Sequence, residues 1–155
     1  MTESEATENK TPTRERIRWV RYAADCAERV LHLAGPHQPK AEAVIQAARA
    51  WADDPTGERL DALRGAGADA SRESFHLLSD SETHYIRYDV RNIRSNALRA
   101  ACHVADTAIL GNPIYYAVSA AWEAEKAATL ARTLPAPTPE QAWQEERLKF
   151  YGFEP

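Results

Sequence analysis

The sequence predicts an all-α fold, a single-domain bundle of about six helices. Three observations carry this. Apolar residues recur at spacings of three and four along most of the chain, no segment shows a convincing run of period-two alternation, and proline and glycine clusters cut the chain into helix-sized pieces. At 155 residues the chain is the length of one domain and can bury a hydrophobic core. Alanine dominates the apolar fraction and glycine is scarce, which suits closely packed helices.

Residues 1–11 are acidic and polar with no apolar core. They read as a disordered tail and not as a signal peptide, leaving residues 12–155 as the helical domain. Thr11-Pro12-Thr13 supplies caps and a helix-starting proline. The first helix extends to about Leu33, with Ile17, Val20, Ala24, Ala27 and Leu31 on one face. Trp19, Tyr22, Cys26, Val30 and Leu33 form a second apolar face beside it. A helix apolar on two faces is expected at the centre of the bundle. Gly35-Pro36-His37-Gln38-Pro39 ends it.

The second helix carries Ala41, Val44, Ile45, Ala48, Trp51 and Ala52 and stops at Asp53-Asp54-Pro55-Thr56-Gly57. The third runs through Leu60, Leu63, Gly67, Ala70, Phe75 and Leu78. Gly65 and Gly67 weaken a helix, so their presence points to a tight helix crossing. Ser79-x-x-Glu82 reads as a capping box opening the fourth helix. Gly111-Asn112-Pro113 then reads as a C-terminal glycine, an N-cap asparagine and a first-turn proline. The fifth helix runs to about Leu134, and Pro135-Ala136-Pro137 forces a stop. Thr138-Pro139-Glu140-Gln141 caps a short sixth helix, in which Glu140, Glu145 and Glu146 face solvent over a buried Trp143.

Formal net charge is −4, and half of it comes from Glu3, Glu5 and Glu8 against Lys10 in the tail. The remainder is nearly balanced, without the basic stripe that phosphate neutralisation requires, so nucleic acid is not an expected partner. No stretch approaches the ~20 apolar residues of a membrane span. The expectation is a cytoplasmic protein, with Cys26 and Cys102 as free, buried thiols.

The most informative segment is 82–110. Ile86, Val90, Ile93, Ala97, Ala100, Val104 and Ala108 lie along one side of a helix. One residue back runs a polar line, Asn92, Asn96, Arg99, His103 and Asp106. Consecutive positions sit ~100° apart around a helix, so the polar line flanks the apolar one. Such a stripe is either half-buried against a neighbour or the lining of a cleft.

Several residues here invite chemistry. His103 and Asp106 share a helical face, where they form a hydrogen-bonded interface pair, orient a general base, or supply two metal ligands. Cys102 cannot pair with His103, because adjacent helical residues diverge. Arg87, Arg91 and Arg94 form a basic line with Tyr85 and Tyr88 among them. They either grip an anionic partner or form a solvated face balanced by Glu82 and Asp89. No phosphate loop, CxxC pair or set of metal ligands is legible, and no cofactor is expected.

Arg21-Tyr22-Ala23-Ala24-Asp25-Cys26-Ala27-Glu28-Arg29-Val30-Leu31 resembles the opening helix of a family of bacterial immunity proteins from polymorphic toxin systems. Members begin with a DCAERVL-like segment, followed by a helix ending in A-x-x-A-R-A-W, which Ala47-Ala48-Arg49-Ala50-Trp51 matches. Ala100-Ala101-Cys102-His103-Val104 is similar to the family's AAGHA-like stretch, and Trp143-Gln144-Glu145-Glu146-Arg147-Leu148 to its closing helix. The order agrees over roughly residues 14–150. The chain departs from the pattern at Ile109 and Pro113, and in the polar residues Tyr85, Arg87, Tyr88, Arg91, Asn92 and Asn96.

The resemblance implies a small helical protein that neutralises a cognate, toxin-like partner by steric binding. The expected binding face is the fourth helix, with Tyr85, Tyr88, Arg87, Arg91, Asn92, Asn96, Arg99, His103 and Asp106. The rival expectation is a small enzyme or small-molecule self-resistance protein. Its pocket would lie between the first, fourth and fifth helices, near Tyr115 or Tyr116, with His103 as acid or base, Asp106 setting its tautomer and Arg99 holding an anion. A third is a homodimer paired through exposed Ala-rich faces.

Overall fold

In the computed structural model of the chain, residues 12–79, 88–133, 143, 146 and 147 are described. The expected tail 1–11, the capping box at Ser79-x-x-Glu82, Tyr85, Ile86, Arg87 and most of the sixth helix lie outside them. Five α-helices and one 3₁₀ helix account for almost all of the described chain, with no strand among the described residues. They are α1 (Arg14–Arg29), the 3₁₀ helix η1 (Leu31–His37), α2 (Gln38–Asp53), α3 (Gly57–Ser79), α4 (Tyr88–Ile109) and α5 (Pro113–Thr133). The fold is all-α. No described helix is long and apolar enough to cross a membrane.

The local signals hold where they are local. Thr13 caps α1 through a bond from Arg16 N to its Oγ1, 3.1 Å. Asn112 caps α5 through Tyr115 N to Oδ1, also 3.1 Å, with Pro113 in the first turn. Gly111 is not left-handed, so it ends α4 without the expected glycine conformation. All six apolar residues expected on α2 are buried.

The first helix is shorter than its pattern. It stops at Arg29, where Val30 leaves helical geometry (φ −112°, ψ 7°), and the following η1 is itself kinked at Gly35, whose φ of 59° precedes Pro36. Nor is α1 the central element. That place belongs to α4, which packs against α1, η1, α2, α3 and α5. Tyr22 is correspondingly exposed, standing edge-on to Trp19 at 5.8 Å. Phe75 and Trp143 are also exposed, against expectation. The Arg147 guanidinium covers the Trp143 ring at 5.3 Å, and that cation–π contact suits an aromatic left in solvent.

Seventeen of the 26 buried apolar residues among the described ones are alanine, so helix backbones approach closely. The closest approach is the crossing expected from the glycines. A Cβ at Gly67 would stand 2.8 Å from the Ala105 Cβ, whereas Gly65 faces open space.

Two helix ends are closed from a distance. Neither α2 nor α4 has a basic residue in its last turn. Arg16 of α1 donates to the Leu110 carbonyl at 2.6 Å and to Thr107 and Ala108 at 3.3 and 3.2 Å. Arg21 and Arg59 serve α2, donating to the Ala52 and Ala50 carbonyls. These cations meet the negative ends of the helix dipoles and occupy orphan carbonyls.

Candidate functional site

The polar line on α4 takes its environment from the packing of that central helix. Ile93, Ala97, Ala100, Val104 and Ala108 are buried as expected, while Val90 is half-buried. Asn92, Asn96, His103 and Asp106 are half-buried and Arg99 is exposed. On one flank α3 approaches α4, through Gly67 against Ala105 and the Ser71 hydroxyl bonded to Cys102. On the other flank stands α5, through Tyr116 and Glu123. The two flanking helices make no extensive contact with each other. The polar line therefore lies on the strip of α4 left between α3 and α5, the candidate groove. From Asn92 to Asp106 it extends about 21 Å at the helical rise per residue.

Its charged members cluster toward α5. His103 Nδ1 lies 3.4 Å from Asp106 Oδ2 without hydrogen-bond geometry, and that buried nitrogen has no bonded partner among the described residues. The His103 ring leans over Tyr116, centroids 6.4 Å apart, and Tyr116 meets Tyr115 edge-on at 5.0 Å. Glu123 is only 6% exposed, yet it sits between Arg99 at 3.8 Å and Lys126 at 3.3 Å. Its Oε2 is buried without a hydrogen bond. Both cations reach solvent, so the carboxylate balances them from beneath. Sequence reading missed Glu123, which looks like one more surface charge in an Ala-rich helix.

No protein-family model, no curated protein and no solved structure matches this chain. What the molecule does is therefore argued from its geometry.

Burial pushes the Cys102 thiol up to about 11, with the Ser71 hydrogen bond offsetting only part of the effect. A thiol held protonated at neutral pH is not a nucleophile. Both cysteines are free and partly buried. Among the described residues, no group of three or more His, Cys, Asp or Glu could hold a metal ion.

Of the basic line, only Arg91 and Arg94 are among the described residues. Arg91 and Arg94 are half-buried, and Arg94 lies so close over Gly35 that a Cβ there would meet its Nε at 2.6 Å. It packs α4 against η1 instead of facing solvent. Beside it, His37 Nδ1 and Glu73 Oε1 join η1 to α3 at 2.6 Å. Arg87 and Tyr85 lie outside the described residues.

A cavity of about 380 Å³ is lined by Trp122, Glu125, Lys126, Thr129 and Leu130 of α5. None of Asn92, Asn96, Arg99, His103 or Asp106 lines it. The two segments carrying most of the family resemblance also meet: Arg49 of α2 bonds Asp25 at 2.9 Å and Glu28 at 2.6 Å on α1. Those residue types fasten two helices together at the surface, away from the groove.

Proposed function

We propose that this protein is an interaction module that holds an elongated segment of a cognate protein in the α3–α4–α5 groove, neutralising that partner by steric occlusion. The shape of the polar line carries this reading. A floor about 21 Å long matches several turns of a helix or a short extended peptide, and exceeds what a small metabolite spans. Asn92 and Asn96 offer two-way hydrogen bonding, and Arg99, Asp106 and Lys126 supply opposite charges along one edge. Tyr116 and Tyr115 provide aromatic anchors beside that polar rim. The resemblance to immunity proteins agrees with such a role.

Native mass spectrometry on the protein purified gently from its own host tests this directly. A second protein is expected at fixed stoichiometry. Asn96→Ala and Arg99→Ala are expected to weaken that complex at least tenfold without altering the helical circular dichroism. Unchanged affinity in both variants would remove the groove from the interface.

One observation favours a small-molecule reading: the buried His103 Nδ1 lacks a hydrogen bond among the described residues, and Glu123 Oε2 is held only by the Lys126 ion pair at 3.3 Å. A ligand donor and acceptor would complete them, with His103 as acid or base. A bound small mass that disappears in His103→Ala would favour this alternative, and its absence would leave the protein-binding reading ahead.

A further inference from the structure

The outer face of α5 points away from the bundle and carries an apolar stripe: Leu110 just before the helix, then Ile114, Tyr115, Val118 and Trp122. These are 39%, 47%, 61%, 53% and 63% exposed. From Gly111 to Trp122 there is no charged residue at all. Glu123 follows but is buried, so on the outer face the charges begin at Glu125, where the same helix lines the cavity of about 380 Å³ with Trp122, Glu125, Lys126, Thr129 and Leu130. One half of the helix thus presents protruding apolar side chains, and the other half presents a mainly apolar hollow edged by Glu125 and Lys126.

We propose that this face pairs with the same face of a second copy, antiparallel, about a two-fold axis at the level of Ala120. This face shares Tyr115 and Lys126 with the edge of the groove, but Leu110, Ile114, Val118 and Trp122 lie outside it, and self-association of the chain alone is read without the groove's partner. In that register each residue i meets residue 240−i of the second copy. Val118 lies against Trp122, Ile114 and Tyr115 fall over Lys126 and Glu125 at the cavity, and Leu110 meets Leu130. The protruding half of each helix enters the hollow half of the other, and the symmetry makes both contacts at once, as a closed isologous interface requires.

Charge favours the antiparallel sense. Glu125 and Lys126 lie opposite uncharged residues, with the Tyr115 hydroxyl near the Glu125 edge of the hollow. A parallel pairing would set Glu125 against Glu125 and Lys126 against Lys126, an electrostatic penalty at the interface.

Area fits a modest dimer. The exposed parts of the five side chains come to on the order of 500 Å² per copy, most of it from the two aromatics. Two copies then bury at most about 1,000 Å², the size of a weak or transient interface, so the dimer is expected only at raised concentration.

Sedimentation velocity on the full chain from about 1 to 500 µM tests this, a range that extends to concentrations where a weak dimer forms. A concentration-dependent dimer is expected, lost in Val118→Glu, with circular dichroism unchanged because that side chain is exposed. Register is tested at Tyr115: Tyr115→Glu, facing Glu125, is expected to weaken the dimer at least tenfold, while Tyr115→Lys retains it. A monomer at every concentration overturns the proposal and leaves the stripe to a different protein. A dimer insensitive to Val118→Glu, or one equally affected by both Tyr115 variants, also overturns it.

Discussion

A methyl group on Gly67 would stand 2.8 Å from the Ala105 Cβ, closer than two such carbons pack. The absence of a side chain there sets how near α3 comes to α4, and thereby fixes one wall of the groove. Gly67→Ala is expected to destabilise the fold by about 1–3 kcal/mol, since overpacking outweighs the gain in helix propensity. Two residues earlier the sign reverses. Gly65 meets nothing within 4 Å, so Gly65→Ala should stabilise by about 0.5–1 kcal/mol. Denaturant unfolding of the two variants reads both signs, and equal effects would contradict the crossing.

Arg16 binds α1 to the end of α4 across 94 positions of sequence. Arg16→Ala removes a charged donor from three carbonyls and should cost about 1–2 kcal/mol. Arg16→Lys keeps the charge without the guanidinium and should recover part of that. Thermal unfolding compares the two, and a neutral Arg16→Ala would show that water caps α4 equally well.

The Arg49 hydrogen bond and charge hold the Glu28 carboxyl below its usual value of 4.5. A lowered folded-state pKa contributes stability above the unfolded value and loses it as pH falls through the folded one. The difference in melting temperature between the native chain and Arg49→Ala should therefore shrink on acidification below about pH 4.5. The groups are exposed, so the whole effect is worth about 1 kcal/mol or less and should weaken with salt. A difference constant with pH and salt would assign Arg49 a packing role only.

Cys102 should resist iodoacetamide in the native protein at about pH 8, because thiol reactivity follows the thiolate. Its reaction rate should climb toward pH 11, where the buried thiol ionises. Peptide mapping after brief alkylation locates the label, and rapid labelling at neutral pH would mean that α4 opens locally.

How much of this was legible follows from range. Thr13, Asn112 and the six buried positions of α2 obey rules that act within a few residues, so sequence shows them. Gly67 was legible as an anomaly, since a glycine that weakens a helix needs a reason. The break after Arg29 was not, because the apolar spacing continues through Leu31 and Leu33 while Gly35 turns the chain. Arg16, Arg94 and Glu123 take their roles from helices distant in sequence, and no local pattern marks them. The polar line on α4 was visible as a stripe, but its setting depends on where α3 and α5 stand.

The predominance of alanine inside has an evolutionary meaning. In a core of large side chains, one residue can shrink while its neighbour grows. Here most buried apolar positions are alanine, with nothing smaller to become except glycine, and a larger side chain would push apart helices that lie close together. Changes confined to the exposed strip of α4 and the outer face of α5 would leave that interior untouched, so the surface of this chain can vary without its fold being rebuilt.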